Sequence, residues 1–403
     1  MAIRLWTDHL GIDGLAVIVV LLALQSWLML LDLGVGPVLQ IRLSAGRAAG
    51  INRASSLVGA IHFLSKVGIV GAVLWCLISV ALINLMPSNW VRTAGLTWSW
   101  VVLAAAGVLW AFMPVSQLIL RVWFAEEQGW RAFLVPASAQ ALGCLAIFMS
   151  PSGLDGASVL INAVVWILPQ VALPAIFLWW RWRALTSLPP DPLTDLWRDS
   201  RGFALFALLA AATIQVDILT IAYLAPTTIL VEYSVIQRTL GAAMSLVVAV
   251  IAVAIPAMAA GLANRDRPLL YRRICGCLGL GFCIMGSAIF LLSVFGAHLG
   301  SILVPGTGIV FGHTLIVILG IYWLLRVWTD TWAGFHQATG NSRSLLIGVI
   351  AQGPITWALM AILGSLWGAA GIALAMVIGF GVTAAWWLPW SAHNYLTRIS
   401  LKT

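Results

Sequence analysis

An acidic side chain and two hydroxyls interrupt an apolar segment near the middle of the chain. Asp217 stands within the apolar stretch 202–224, with Thr213 four residues before it and Thr220 three residues after it. A charge at the centre of a membrane helix costs roughly 2.5–3.5 kcal/mol on insertion scales, so it usually faces a partner or a wet cavity. At helical spacing the three residues share one face. The pattern favours a cavity-lining stripe in which Asp217 couples to a proton or gates against a cation; the alternative is one buried interhelical hydrogen bond.

Basic side chains also occur inside or beside apolar segments. Arg238 lies within a long apolar stretch, and its guanidinium could hold a phosphate or carboxylate bidentately. Lys66 and His62, one helical turn apart, could receive an anionic group that enters from the cytoplasm. The alternatives are snorkelling toward the headgroups, a structural histidine, and a pair between Arg238 and Asp217. Asp32 is a further gating candidate, and the favoured interpretation is a structural pair with Lys66.

Uncharged amides punctuate other apolar segments. Gln140 and Gln352 could hydrogen-bond a polar substrate, or they could join helices at roughly 0.6 kcal/mol per bond. The same two interpretations apply to the other amides of this kind, which are Gln117, Asn162 and Gln170.

The composition places these residues in a membrane protein. Of 403 residues, 62% are hydrophobic and 8% charged, against about 25% charged in soluble domains. The 22 Trp suit the headgroup boundary. The net charge of +8 does not indicate nucleic-acid binding, because the basic residues lie in short segments between apolar spans. The five Cys are interpreted as small buried hydrophobes, and no metal or cofactor is expected.

Eleven apolar stretches are long enough to cross a bilayer as helices. They are 14–31, 61–84, 98–118, 133–149, 157–179, 202–224, 236–260, 275–297, 309–327, 346–365 and 368–388. Nearly all basic residues outside these spans, together with Arg326 at the end of the ninth span, are assigned to the side of the first inter-helix segment, whereas Arg4 and Arg92 fall on the other side. The positive-inside rule therefore predicts a cytoplasmic C-terminus.

Recurring motifs indicate an internal duplication. The segment 120–123 (LRVW) recurs at 325–328, and 153–156 (GLDG) resembles 368–371 (GAAG) at an offset of 215. A solvated linker at 180–201, with a short amphipathic piece near 193–197 as an alternative, would then join a lobe of five helices (1–179) to a lobe of six (202–403). The counterpart of the sixth helix would begin before Met1. The sequence therefore predicts a six-plus-six architecture whose first helix is missing.

Several short motifs resemble the polysaccharide and O-antigen flippases, within the superfamily that includes multidrug extruders and lipid II flippases. They are 30–36 (LLDLGVG), 215–217 (QVD), 224–226 (LAP), 232–234 (EYS) and 367–373 (WGAAGIA). The resemblance implies an all-α, V-shaped pair of helical lobes around a central cavity, working by alternating access.

The resemblance also implies a substrate, an oligosaccharide on undecaprenyl diphosphate that is moved across the inner membrane, with membrane lipids around the tail. Arg238, Lys66 and His62 would hold the diphosphate, and the glutamines Gln140 and Gln352 the sugar hydroxyls. Asp217 would couple to a proton or sodium ion. The runner-up is a cation-coupled multidrug exporter. A polymerase or ligase is less favoured, because the outward segments are short and neither H-E-x-x-H nor a Walker A motif occurs.

Overall fold

The computed structural model describes residues 2–48, 50–51, 54–85, 99–153, 156–185, 193–214, 216–264, 266–305 and 311–400, and these are almost entirely helical. A single 3₁₀ turn, Met29–Asp32, follows the first helix. The helices are α1 (Ala2–Leu28), α2 (Val35–Ala48), α3 (Ala54–Leu85), α4 (Ser99–Ala125), α5 (Gly129–Phe148), α6 (Gly156–Arg183), α7 (Leu193–Ile214), α8 (Val216–Leu224), α9 (Thr227–Ala263), α10 (Arg267–Leu303), α11 (His313–Ala338), α12 (Ser342–Val382) and α13 (Ala384–Ser400).

The described helices contain ten candidate membrane spans, and they correspond in order to the eleven predicted stretches except at the end. There the last two predicted stretches fall in one candidate of 56 residues, 342–397. At 1.5 Å per residue this helical length is roughly 84 Å, more than twice the hydrocarbon thickness of about 30 Å. The chain must therefore cross twice within it. The predicted all-α, polytopic membrane fold is confirmed.

A tight turn at Gly368 makes those two crossings a hairpin. Gly368 has φ +56°, a left-handed conformation that glycine adopts without strain. A Cβ on Gly371 would overlap the carbonyl oxygen of Leu363, and a Cβ on Gly364 would lie 3.0 Å from Ile372. Further along, Gly379 faces Thr356. These pairs are symmetric about residues 367–368, so the two legs of α12 run antiparallel in close contact.

The helices extend beyond the predicted apolar stretches, and at α11 the difference changes the chemistry. The ninth stretch was predicted to end at residue 327, with Arg326 at the cytoplasmic side, but α11 continues to Ala338. Arg326 is therefore the fourteenth of 26 helical residues, and its charge does not contribute to the positive-inside bias. Hydropathy ends a stretch at the first charges, whereas here Arg326 forms an ion pair with Asp330 one turn later and the helix continues.

The contacts divide the chain into two compact units. Unit 1 comprises 1–204, 226–231 and 300–309, and unit 2 comprises 205–225, 232–299 and 310–403. Helix α7 contributes to both units. The lobe boundaries predicted from the duplication, 1–179 and 202–403, remain a prediction, and the segments that carry Arg92, Gln215 and the proline-rich 186–192 lie outside the described residues.

The order of helices supports the duplication more directly than the motifs do. Helix α1 is broken at Gly11 (φ +67°), and α3 and α5 then begin at residues 54 and 129. Helix α9 begins at 227, which is 215 residues after residue 12, where α1 resumes beyond the break. Helix α10 begins 213 residues after the start of α3, and α12 begins 213 residues after the start of α5. The repeated LRVW motif does not occupy equivalent positions. Arg121 lies four residues before the end of α4 and Arg326 twelve before the end of α11.

The predicted linker 180–201 is helical at both described ends rather than solvated throughout. Helix α6 reaches Arg183, and α7 already begins at Leu193, which confirms a helix at the amphipathic piece. Within unit 1, Arg42 donates to the Asp199 carboxylate at 2.6 Å, and Trp197 contacts the ring of Phe63. Leu196 and Ser200 are buried, so the amphipathic pattern of this segment packs it against its unit.

Candidate functional site

Asp217 is fully buried in unit 2, in the first turn of α8, and accepts three hydrogen bonds from neutral donors. The Tyr233 hydroxyl donates to Oδ2 at 2.6 Å, and Gln237 Nε2 donates to the same oxygen at 2.9 Å. The Ile218 N–H donates to Oδ1 at 2.7 Å. Tyr233 and Gln237 lie one turn apart on α9, so a single face of α9 presents both donors. We call Asp217, Tyr233 and Gln237 the carboxylate cluster.

The described donors to Asp217 are all neutral. Burial of an ionised carboxylate is costly unless it is paired or hydrogen-bonded, and here dipoles rather than a charge compensate it. A buried carboxylate with neutral neighbours can change its charge without breaking an ion pair. The hydroxyl of Tyr233 also lies 3.7 Å from the sulfur of Met376, a second acceptor to which it could turn.

The predicted threonine stripe does not contact Asp217. Thr213 donates to the carbonyl of Leu209 and Thr220 to that of Val216, each one turn earlier on its own helix. Such bonds satisfy the hydroxyls locally. Thr213 lies in α7 and Asp217 in α8, and residue 215 between these helices lies outside the described residues, so one continuous helix through the three residues stays a prediction.

Arg238 and Gln352 also belong to unit 2. Arg238 follows the cluster residue Gln237 on α9 and is partly exposed. The alternative pair between Arg238 and Asp217 is not among the described contacts of Asp217, whose donors are Tyr233, Gln237 and the Ile218 N–H. Gln352 is buried in α12 beside Gly353, and a Cβ on Gly353 would lie 3.2 Å from the Thr213 hydroxyl.

The remaining predicted site residues lie in unit 1, and they do not form one group. His62 and Lys66 are exposed on α3, and Gln140 is exposed on α5. The predicted pair between Asp32 and Lys66 is wrong. Asp32 turns back toward its own chain, accepts the Gly36 N–H at 3.0 Å, and interacts electrostatically with Arg121.

This difference follows from the break between α1 and α2. Leu33 and Gly34 adopt left-handed conformations (φ +46° and +71°), which bring the N-terminus of α2 over the Asp32 carboxylate. Arg121 reaches the same place from α4 and also contacts Gln40 at 3.4 Å. Asp32 therefore stabilises the start of α2, as acidic residues at helix N-termini commonly do.

The sequence interpretation missed an ion pair inside α11. Arg326 Nη2 lies 2.8 Å from Asp330 Oδ2, and its Nε donates to the same carboxylate at 3.2 Å. Its Nη1 donates to the Tyr322 hydroxyl at 3.2 Å. The guanidinium carbon lies 5.8 Å from the ring centroid of Trp323 and 5.7 Å from that of Phe380. The i, i+4 spacing of Arg326 and Asp330 was the available signal.

No group of three metal-ligating side chains occurs among the described residues. The site chemistry therefore rests on hydrogen bonds and charge: the carboxylate cluster, Arg238, and the Arg326–Asp330 pair. Together with the long apolar helices, such polar groups define a polytopic membrane protein with ionisable groups inside its helices, which is typical of transporters.

Comparisons with known proteins show that the chain is similar to transporters. No protein-family model matches it. It is 24% identical over 407 residues to the "Putative O-antigen export protein" of Yersinia pseudotuberculosis, covering 99% of this chain and 92% of that protein. It is 23% identical over 395 residues to the "Putative O-antigen transporter" of Salmonella typhi, covering 96% and 90%. The predicted resemblance to O-antigen flippases is confirmed.

Solved structures identify the fold. An inward-facing multidrug-resistance MATE family transporter of the MOP superfamily matches with a TM-score of 0.73 and 16% identity, covering 100% of this chain and 94% of that chain. A MATE structure in complex with MaL6 matches with a TM-score of 0.77 and 15% identity, covering 100% and 92%. The chain therefore has the fold of these transporters.

Proposed function

We propose that this protein moves an undecaprenyl-diphosphate-linked oligosaccharide, an O-antigen or exopolysaccharide repeat unit, from the cytoplasmic to the periplasmic leaflet of the bacterial inner membrane. The observation that carries the proposal is similarity along 99% of the chain to a protein named for O-antigen export. The fold of MATE transporters supports alternating access as the mechanism. The basic residues outside the spans support a cytoplasmic C-terminus.

The polar head of such a substrate needs a path through the hydrocarbon, while its polyprenyl tail can stay in lipid. Arg238 in unit 2, and Lys66 with its neighbour His62 in unit 1, are separate candidates for contact with the diphosphate, because a guanidinium or ammonium compensates phosphate charge. Gln140 and Gln352 are assigned to sugar hydroxyls. Asp32 is withdrawn from a gating role, because its carboxylate is used at the start of α2.

Asp217 is assigned to coupling with a proton or sodium ion. Protonation of Oδ2 would add an O–H donor there, so the Tyr233 oxygen could accept a hydrogen bond from the carboxyl group while the Tyr233 hydroxyl donates a hydrogen bond to Met376 Sδ. The charge of Asp217 on α8 would thus act on α9 through the hydrogen bonds of Tyr233 and Gln237. Thr213 and Thr220 serve the helix backbone in this assignment.

Complementation tests this function. The gene is expressed in a strain whose own O-antigen flippase is deleted and whose repeat unit matches that of the source organism. Surface polysaccharide should return, and the lipid-linked intermediate that accumulates in the cytoplasmic leaflet should fall to the level of the unmutated strain. Failure of a well-expressed protein to restore either one in the matched background contradicts the proposal.

A multidrug exporter is the second candidate, favoured by the MATE fold and by an acid, Asp217, that could meet a cationic drug. The same strain, deleted for its drug exporters, gives the discriminating measurement. A rise in resistance to cationic compounds without restored polysaccharide would support the exporter. We assign no enzymatic activity, in keeping with relatives that are named as transporters.

A further inference from the structure

The Arg326–Asp330 pair lies at the middle of a membrane-spanning helix. Helix α11 has 26 residues and so is about 39 Å long, and Arg326 lies about 20 Å from its first residue. Both side chains keep some accessible surface, 16% for Arg326 and 25% for Asp330. Charged groups at this depth almost always face the protein interior or a water-filled cavity rather than lipid. The accessible part of the pair is therefore open to a polar occupant.

The pair has hydrogen-bonding capacity to spare. A guanidinium has five N–H donors and a carboxylate about four acceptor sites. Arg326 donates one N–H from Nε and one from Nη2 to Asp330, and one from Nη1 to the Tyr322 hydroxyl. One N–H therefore remains on Nη1 and one on Nη2. Asp330 accepts only from Arg326 among the described residues, so acceptor sites remain on its oxygens. Spare donors and spare acceptors thus lie side by side, within one electrically neutral unit.

Aromatic rings flank this pair. Trp323 and Phe380 both lie within 6 Å of the guanidinium, and Tyr322 packs edge-on against each of these rings. Adjacent hydroxyls of a sugar ring each donate and accept, which matches the mixed capacity of the pair, and the C–H faces of the ring are apolar and suit an aromatic surface. A diphosphate matches less well, because the carboxylate of Asp330 would repel it.

We propose that Arg326, Asp330 and Trp323 form a subsite for one neutral sugar ring of the substrate. The proposal rests on the proposed function and adds a division of roles to it: one sugar ring of the oligosaccharide is held at α11, and the diphosphate is held elsewhere. The Tyr322 hydroxyl accepts from Arg326 Nη1 and so belongs to the polar side of this subsite.

Two soluble probes test the subsite with the purified full chain in lipid nanodiscs. One is the free repeat-unit oligosaccharide, released from the host polysaccharide by hydrolysis and lacking both lipid and diphosphate. The other is inorganic diphosphate. Binding is measured by calorimetry for the unmodified protein, for Trp323→Ala, and for the double variant Arg326→Gln with Asp330→Asn. The double variant removes both charges together, because removal of one partner would leave an uncompensated buried charge.

The subsite predicts at least about tenfold weaker oligosaccharide binding by both variants, as expected when hydrogen bonds to charged groups or a stacking surface are lost. Diphosphate binding by both variants should stay at the unmodified value, and for Trp323→Ala this retention shows that the fold survives the loss of packing between its ring and Tyr322. The matched control is Trp386→Ala, the same substitution at a residue that is 75% exposed, and it should bind both probes normally. If the double variant does not fold, Trp323→Ala decides the result.

Unchanged oligosaccharide binding by Trp323→Ala would overturn the proposal, as would an unmodified protein that does not bind the oligosaccharide. Loss of diphosphate binding with retained sugar binding would show an anion site instead. The complementation assay separates this outcome from a failure of the proposed function. If the protein restores polysaccharide but Trp323→Ala binds the oligosaccharide normally, the proposed function stands and the sugar site lies elsewhere in the protein.

Discussion

At the residue scale, the polar chemistry of unit 2 depends on how buried charges are compensated. Asp217 is held by three neutral donors, whereas Arg326 and Asp330 compensate each other on one helix. Asp217 can gain or lose a proton without breaking an ion pair, whereas the Arg326–Asp330 pair has no net charge. This difference is why we assign coupling to the carboxylate cluster and recognition of a neutral ring to the ion pair.

Asp217→Asn tests the coupling assignment. Asparagine has nearly the shape of aspartate but cannot ionise, and its amide can still accept at one oxygen, so folding should survive with a loss of roughly 1–3 kcal/mol. We expect polysaccharide restoration to fall at least about tenfold at equal amounts of membrane protein. Complementation and immunoblotting measure both quantities.

The control for this substitution is Asp8→Asn, which changes an exposed carboxylate in an i, i+4 pair with Arg4. It should restore polysaccharide fully. Full restoration by Asp217→Asn would remove Asp217 from the coupling mechanism and leave it as a structural acceptor for α9.

At the scale of elements, glycines decide where helices break and turn. The hairpin of α12 needs Gly371, since a side chain there would overlap the Leu363 carbonyl oxygen, a backbone atom that cannot rotate away. The break between α1 and α2 needs Gly34, whose Cα lies close to the backbone of α7. The hydropathy of the sequence does not predict that the backbones approach closely at Gly371 or at Gly34.

Gly371→Ala should therefore prevent the two legs of α12 from closing. We expect a cost of about 3 kcal/mol or more, at the upper end of overpacking, and a large loss of monodisperse protein. Size-exclusion chromatography of a fluorescent fusion measures it. Gly381→Ala on the same helix is the control, because nothing lies within 4 Å of its added Cβ, and it should behave as the unmodified protein. Equal profiles for both variants would contradict the hairpin geometry.

Gly34→Ala separates close packing from backbone strain. Gly34 and Gly50 have nearly the same φ, +71° and +68°, so alanine pays a similar left-handed cost of about 1–2 kcal/mol at either position. Only at Gly34 would the Cβ meet other atoms, with Phe203 Cβ at 2.6 Å. The melting temperature of Gly34→Ala should thus fall clearly below that of Gly50→Ala. Matching melting temperatures would mean that α7 does not pack closely at this break.

At the scale of the whole molecule, the eleven crossings predicted from the sequence would put the two ends of the chain on opposite sides of the membrane. The proposed orientation puts the C-terminus in the cytoplasm and the Gly368 turn outside. The turn and the end of α13 then give opposite labelling results in one experiment, because a single crossing separates them.

Cysteine labelling measures this orientation in a background where the five native Cys are replaced by Ala. A membrane-impermeant maleimide should label Ser365→Cys in intact spheroplasts and Thr397→Cys only after lysis. Both side chains are exposed, so accessibility within the fold does not limit either reaction. The reverse pattern would invert the topology, and the direction of transport would have to be reconsidered.

The sequence by itself determined the membrane class, the order of the spans, the resemblance to O-antigen flippases and the position of Asp217 inside an apolar segment. These follow from composition and from the high cost of charge in hydrocarbon, which act locally along the chain. Tertiary structure decided which donors hold Asp217, that Asp32 acts at a helix break instead of binding Lys66, and that Arg326 lies within a span. Partners on other helices, and charges that neutralise one another within a helix, depend on packing in three dimensions, and hydropathy along the sequence does not contain that information.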